Sequence, residues 1–283
     1  MSLDLSSVGH STAPFTYEYD WKTVVLYALG VGATREELDF LYEKRGPRVL
    51  PTFAVVPAYP ACWALFEKAR CDLTRLVHGW EVIRLHAPIP PAGKLETVGV
   101  VKGIYDMKKL AQVVLATTTT FKGEPCFETE MTLLIRDAGG FGGDRPPKSE
   151  APKIPEGNPD FTVDLPTSPE QALLYRLSGD LNPLHADPEF AKTVGFEGGP
   201  ILHGLCTFGV LGRAVLKGAC GGDERRLRAL GAQFRRPVWP GESLRTTGYV
   251  LESGRIALEA FAGDKPDPVI TSAWADVAPP RGA

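Results

Sequence analysis

Two short segments of this 283-residue chain recur in the same order at almost the same spacing. Residues 26–29 (LYAL) reappear as residues 174–177 (LYRL), 148 positions later, and a second echo follows at 149 positions. Self-similarity at nearly one offset favours an internal duplication, so the sequence predicts two copies of one folding unit. The second echo comprises Pro88, Ile89, Pro91, Leu95, Thr97 and Gly99, matched by Pro237, Val238, Pro240, Leu244, Thr246 and Gly248.

Each half has the same order of expected elements. Three runs rich in Val, Thr, Ile and Phe, separated by short turn-rich gaps, indicate consecutive antiparallel strands. A helical stretch precedes them, and in the second half Gly204–Leu216 is so apolar that we expect burial on all sides. A buried helix followed by a strand meander, twice over, predicts an α+β fold in which a sheet wraps a central helix. The expected strands are Leu95–Ile104, Leu110–Phe121, Phe127–Ile135, Leu244–Glu252, Arg255–Phe261 and Val269–Val277.

Glycine and proline mark the division between the copies. The chain has 30 Gly and 25 Pro, and in the segment 137–169 these two residue types are especially dense, together with charged residues. Such a segment with little apolar periodicity is typical of a linker. We therefore expect a first repeat over residues 1–136, a linker over 137–169 and a second repeat over 170–283.

Composition limits the possible partners and compartments. With 31 Lys+Arg against 34 Asp+Glu, the chain lacks the basic excess of a nucleic-acid-binding protein. No window approaches the apolar length of a membrane helix, and no secretory signal or peroxisomal tripeptide is visible. The five cysteines form no paired motif, as expected for a reducing compartment. A cytoplasmic protein without nucleic-acid or membrane partners is the expectation.

Polar residues concentrate in one stretch, YRLSGDLNPLHADP, over residues 175–188. Gly-Asp and Asn-Pro mark turns, so the side chains of Asp180, Asn182 and His185 can converge on one tight loop. A carboxylate and an imidazole held together make a plausible acid/base pair. The alternative is that Asp180 caps a turn and His185 is a hydrogen-bonded loop residue. Because the first copy has Gly30-Val31-Gly32 at the matching place, the polar cluster is an addition to the scaffold, which favours function.

The apolar helix offers a complementary feature at its start. The first N–H groups of a helix lack intrahelical acceptors and lie at the positive end of its dipole, so the Gly204 N–H is a candidate oxyanion donor. An ordinary Gly-Pro helix start is the alternative. A metal site is not expected, because His185, His203 and Asp187 lack the usual ligand spacing. Cys206, within the helix, is expected to be a core residue rather than a nucleophile.

The stretch YRLSGDLNPLH (175–185) resembles the signature of the MaoC-like (R)-specific enoyl-CoA hydratases, the hydratase 2 family. Further similarity lies in YALGVGA (27–33), LPTFAVV (50–56), ILHGLCTFG (201–209) and FRRPVWPGE (234–242). It resembles the two-repeat form found as the hydratase part of peroxisomal multifunctional enzymes. The resemblance implies a double hot dog fold with a catalytic second repeat that reversibly hydrates trans-2-enoyl-CoA to (3R)-3-hydroxyacyl-CoA, a reaction of fatty acid metabolism such as β-oxidation.

Site residues follow from the same resemblance. It implies an acid/base pair of Asp180 and His185, a water held by Asn182 and an oxyanion donor at Gly204. It also places accessory and CoA or acyl contacts in the first repeat and at Phe234, with Glu43 supporting the catalytic loop across the repeat interface. No cofactor is implied, because the CoA thioester is the substrate, and a homodimer is expected. The accessory residues are Tyr27, Glu43, His78, Gly79, Lys108 and Phe234.

Three other functions stay open. A thioesterase on the same fold would release thiol from saturated acyl-CoA. A dehydratase could use the same groups on a related acyl thioester. A non-catalytic acyl-CoA-binding protein would use the polar loop only to position its ligand.

Overall fold

Ten antiparallel strands form one continuous sheet in the computed structural model, which describes residues 2–149 and 151–280. The strand order is β1-β3-β4-β5-β2-β7-β10-β9-β8-β6. The strands are β1 Phe15–Tyr19, β2 Leu76–Leu85, β3 Gly93–Asp106, β4 Leu110–Phe121, β5 Glu124–Arg136, β6 Phe161–Pro166, β7 Leu227–Phe234, β8 Ser243–Val250, β9 Arg255–Ala262 and β10 Ile270–Val277.

Two long helices lie against this sheet, α3 in the first half and α6 in the second. The α-helices are α1 Trp21–Gly30, α2 Leu38–Leu41, α3 Val55–Lys68, α4 Gln171–Tyr175, α5 Pro188–Thr193 and α6 Gly204–Gly218. Short 3-10 helices span Leu5–Ser7, Arg35–Glu37, Pro51–Ala54, Arg176–Ser178, Pro183–His185 and Glu224–Arg226. Among the described residues, no helix is long and apolar enough to cross a membrane.

The sheet shows the expected duplication directly. From the outer edge inward, the first half has the order β1-β3-β4-β5-β2 and the second half β6-β8-β9-β10-β7, so the two halves match strand by strand. The halves join where β2 pairs with β7, from Trp80↔Gln233 to Arg84↔Ala229. The helices α3 and α6 begin at Val55 and Gly204, 149 positions apart. The predicted α+β plan of two helix-in-sheet units is confirmed.

All six predicted strands are present, but β2, β7 and the short edge strands are additional. One edge strand corrects the expected linker: within 137–169, residues Phe161–Pro166 form β6 and pair with β8. A six-residue edge strand that exposes alternate side chains has only a weak apolar pattern. Among the surrounding Gly and Pro residues, this pattern does not identify a strand. The second unit therefore begins near residue 161 rather than 170.

The core lies between the sheet and the two long helices. In α6, every residue from Leu205 to Leu216 is buried, as its all-round apolar sequence predicts. The one charged residue in that run is Arg213. The five cysteines are free thiols, and Cys206 donates to the carbonyl of Gly30 as a core residue.

Candidate active site

The polar loop is shaped by two short 3-10 turns. Gly179 sits between them with φ 126°, a conformation that a side chain would strain. The Asn182 N–H donates to Oδ1 of Asp180 at 3.1 Å, and Oδ1 of Asn182 accepts from the Leu184 N–H at 3.0 Å. The second bond caps the turn that carries His185. Asn182 is exposed and its side-chain NH₂ stays available to donate.

His185 is buried and held in one tautomer. Its Nδ1 lies 2.8 Å from the carbonyl oxygen of Ile201. Because a carbonyl only accepts, Nδ1 carries the proton and Nε2 keeps its lone pair. Burial lowers the pKa of His185 below its usual 6.5, although the nearby Asp180 carboxylate opposes this shift. The imidazole is therefore neutral and ready to accept a proton at Nε2.

His203 completes a compact group with the predicted pair. Side-chain atoms of Asp180, His185 and His203 lie within 4.8 Å of one another. The two imidazole rings are stacked, with centroids 3.7 Å apart and planes inclined by 27°. Nitrogen lone pairs lie in the ring planes, so those of stacked rings run nearly parallel instead of meeting at one ion. This arrangement disfavours shared coordination of a metal ion.

The Gly204 N–H stands at an open helix start. The preceding His203 is extended, with φ −59° and ψ 138°, and no acceptor for the Gly204 N–H occurs among the described residues. In the first repeat, the matching Val55 follows a 3-10 turn, and its N–H donates to the carbonyls of Thr52 and Phe53. Of these two helix starts, the one at Gly204 presents an N–H without an acceptor in the described part of the chain, and this N–H can serve as a donor for an oxyanion.

Phe234 and His78 border the helix start from the strands that join the repeats. If Gly204 carried a Cβ atom, that atom would lie 3.7 Å from the Phe234 ring. The centroids of the Phe234 and His78 rings are 4.8 Å apart. The His78 side chain is fixed by Nε2 contacts to the Trp80 carbonyl at 2.9 Å and to Glu81 at 3.1 Å. Gly79 occupies a bulge in the pairing of β2 with β5 and not a turn. These three predicted contact residues thus gather at one wall.

Tyr27 lies beneath the site rather than in it. Its side chain is only 1% exposed and packs against the Tyr175 ring at 6.1 Å, while Tyr175 packs against His203 at 4.9 Å. Burial raises the pKa of Tyr27 far above its usual value. Tyr27 is thus buried behind Tyr175 and is not exposed for the expected substrate contact.

Glu43 does not support the catalytic loop. It is exposed in a turn after α2. The acidic residue of this segment that reaches across the repeat interface is Glu37, which pairs with the buried Arg213 and lies 3.7 Å from Lys217. Arg213 also donates to the Val31 carbonyl at 3.0 Å. The two acidic residues are only six positions apart in the sequence, and only the fold distinguishes them.

Lys108 lies apart from the catalytic loop, in the turn between β3 and β4. It is exposed, with φ 70°, and its N–H donates to Asp106 at 2.7 Å. Asp106 also accepts from Gly140 and Gly142, which pins the start of the linker against this turn. Lys108 and Arg145 line the resulting shallow cleft.

Tyr59 is a site residue that sequence reasoning missed. It belongs to α3 of the first repeat, and its hydroxyl faces the Asp180 carboxylate. Burial, and secondarily that carboxylate, raise the pKa of Tyr59 well above its usual value. The contact joins residues 121 positions apart, so no local pattern could reveal it.

Comparisons with known proteins identify the families of both halves of the chain. Residues 17–137 match the model of the MFE-2 hydratase 2 N-terminal domain, and residues 150–271 match the MaoC like domain. The chain is 43% identical over 268 residues to 3-hydroxyacyl-thioester dehydratase Y of Mycobacterium tuberculosis, covering 90% of each. It is 35% identical to a probable enoyl-CoA hydratase 2 of Dictyostelium discoideum, covering 99% of this chain and 98% of that protein.

Solved structures give the same picture. A MaoC-like dehydratase from Phytophthora capsici superposes with a TM-score of 0.89 at 29% identity, covering 99% of both chains. A Mycobacterium tuberculosis protein described as having a double hotdog fold superposes with a TM-score of 0.58 at 14% identity, covering 96% of both chains. The second likeness concerns the fold alone and confirms the predicted architecture.

Proposed function

The chain belongs to the MaoC-like hydratase 2 family, and from that premise we propose that it is a hydro-lyase that reversibly hydrates trans-2-enoyl-CoA to (3R)-3-hydroxyacyl-CoA. One observation carries the proposal: the loop with Asp180 and His185 adjoins the open helix start at Gly204. The first repeat has neither the pair nor a free N–H at the matching positions.

The acid/base pair handles the proton of the attacking water. A water between the Asp180 carboxylate and Nε2 of His185 gives up a proton as its oxygen bonds to C3 of the substrate. The electrons of the C2–C3 double bond move towards the thioester carbonyl, and C2 then receives a proton from the pair. Because the two groups share protons, the pair acts as one unit in both directions.

The helix start stabilises the charge that develops during this step. As the enolate forms, the thioester oxygen becomes negative, and the Gly204 N–H donates to it at the positive end of α6. The NH₂ of Asn182 would hold the water, while His78, Gly79 and Phe234 form the wall beside the acyl thioester. Lys108 would contact a phosphate of CoA.

The proposed reaction needs no metal or redox cofactor, since proton transfer and charge stabilisation are both supplied by the protein. We also propose a homodimer in the cytoplasm. The open edges of the sheet at β1 and β6 support pairing, because such edges can associate with another chain.

The test is incubation with crotonyl-CoA and with medium-chain enoyl-CoA substrates, following the loss of conjugated thioester absorbance. We expect loss of absorbance, a (3R) product on chiral analysis and no free thiol. Thiol release from saturated acyl-CoA would instead indicate a thioesterase. Binding without turnover at every chain length would indicate a non-catalytic protein, and either result would overturn the proposal.

A further inference from the structure

His203 sits at the joint between the two parts of the site. It is 1% exposed, and its own peptide bond carries the Gly204 N–H. The orientation of that N–H therefore depends on where the His203 residue is held. The sequence pattern gave His203 no role beyond that of a metal ligand that was not expected, and the mechanism above gives it none.

Three contacts fix the His203 ring. Nε2 lies 3.1 Å from the carbonyl oxygen of Asp180, so it donates a hydrogen bond to the backbone of the catalytic carboxylate residue. One face stacks on His185 at 3.7 Å. The ring also packs against Tyr175 at 4.9 Å. One side chain thus touches both members of the acid/base pair.

The same side chain carries a cost in stability. Its Nδ1 is buried and has no hydrogen-bond partner among the described residues. An unsatisfied buried acceptor is unfavourable, and an apolar residue would avoid it. In the first repeat, the matching residue is Ala54, where no pair is present. The imidazole is thus present in the repeat that carries the pair.

The His203 imidazole is neutral, as expected for a residue that positions other groups and does not transfer a proton itself. Burial, and then the neighbouring His185, lower the pKa of His203 far below its usual value. The ring stays neutral and keeps its Nε2–H. It therefore holds the Asp180 carbonyl without competing with His185 for a proton.

We propose that His203 is a positioning residue that sets the spacing between the Asp180/His185 pair and the Gly204 oxyanion donor. The inference rests on the proposed hydratase function. Displacing a reacting group by about 1 Å can cost about 100-fold in rate, so loss of this support should lower kcat more than it raises KM.

The experiment compares His203→Gln with His203→Asn, using crotonyl-CoA as substrate. The amide nitrogen of Gln lies as many bonds from Cα as Nε2 of histidine and can reach the Asp180 carbonyl, whereas that of Asn stops at the position of Nδ1. We expect His203→Asn to lose about tenfold or more in kcat, with KM within about threefold. His203→Gln should recover most of that loss. His86→Gln is the control, because the His86 side chain is exposed and contacts Glu128 at the surface, away from the proposed site.

Equal kcat values for the Gln and Asn variants, or a wild-type kcat in both, would overturn the proposal. If His203→Asn does not fold, His203→Phe replaces it, since Phe keeps the ring but has no donor. A His203→Phe variant with wild-type kcat would be equally decisive against the role. An inactive wild type would instead refute the hydratase function, so the two failures are distinguishable.

Discussion

At His185, a single hydrogen bond determines which nitrogen can accept a proton. The Ile201 carbonyl occupies Nδ1, so Nε2 is the only acceptor on the ring. Burial then disfavours the imidazolium form. Both effects keep the proton-accepting form available at neutral pH.

The pH profile of kcat/KM should reflect this burial. Because the pKa of His185 lies below 6.5, the neutral form persists as pH falls to that value, and activity should be lost only at lower pH. We expect a plateau from about pH 8 to about 6.5 and an acidic limb below it. Hydration rates over this range measure the limb, with circular dichroism showing that the protein stays folded. An acidic limb centred above 6.5 would contradict the assignment.

The residues of the site were predictable where they lie close in sequence. Asp180, Asn182 and His185 share one loop, so turn chemistry alone indicates their convergence. His203 and Tyr59 reach the same place through tertiary packing, which a local pattern does not encode. For Glu43 the resemblance predicted support of the loop, whereas the structure places the residue exposed in a turn. A resemblance transfers an alignment but not the contacts of a side chain.

Among the elements, the loop that precedes each central helix has taken two different roles. The 3-10 turns Arg35–Glu37 and Pro183–His185 lie 148 positions apart, so Glu37 matches His185. In the first repeat, this position supplies a carboxylate for the buried Arg213 on α6. The turn that carries the proposed catalytic His185 in the second repeat is thus matched in the first repeat by a turn whose Glu37 binds α6.

Replacing Glu37 with alanine should destabilise the protein strongly. Arg213 is 1% exposed and would keep a buried charge without its carboxylate partner. Breaking a buried pair typically costs about 3–5 kcal/mol of unfolding free energy, measurable by urea denaturation. Glu43→Ala is the matched control and should change stability by less than about 0.5 kcal/mol. Equal effects of the two substitutions would refute this role of Glu37.

The strands were predictable to different degrees for physical reasons. Strands that follow one another through short turn-rich gaps, such as β4 and β9, show their β-rich composition clearly. β6 is six residues long at the edge of the sheet, where half of its side chains face solvent. β2 and β7 join the repeats, and their pairing depends on the assembled molecule rather than on a neighbouring turn.

At the scale of the whole molecule, hydrogen bonds between the two repeats join them into one structure. Side chains of the second repeat bind the carbonyls that end α1: Gln171 to Leu29 and Gly30, and Arg213 to Val31. The first repeat contributes His78, which lies beside Phe234, and Tyr59, which faces Asp180, to the candidate site on the second repeat. The duplication could be predicted from the sequence, but these contacts between the repeats could not.

Such continuity predicts a single cooperative unfolding transition. The β2–β7 pairing and the Glu37–Arg213 pair would both break if one repeat unfolded alone. Urea denaturation followed by tryptophan fluorescence and by far-ultraviolet circular dichroism should give coincident curves. Two separated transitions would show that the repeats are independent.

The most direct test of the central claim is the rate of hydration by Asp180→Asn, His185→Gln and the double variant. If the pair acts as one unit beside the Gly204 donor, each single variant should lose about 10²–10⁴-fold in kcat on crotonyl-CoA. The double variant should be little slower than the slower single variant. A wild-type rate in either single variant would show that the chemistry lies elsewhere.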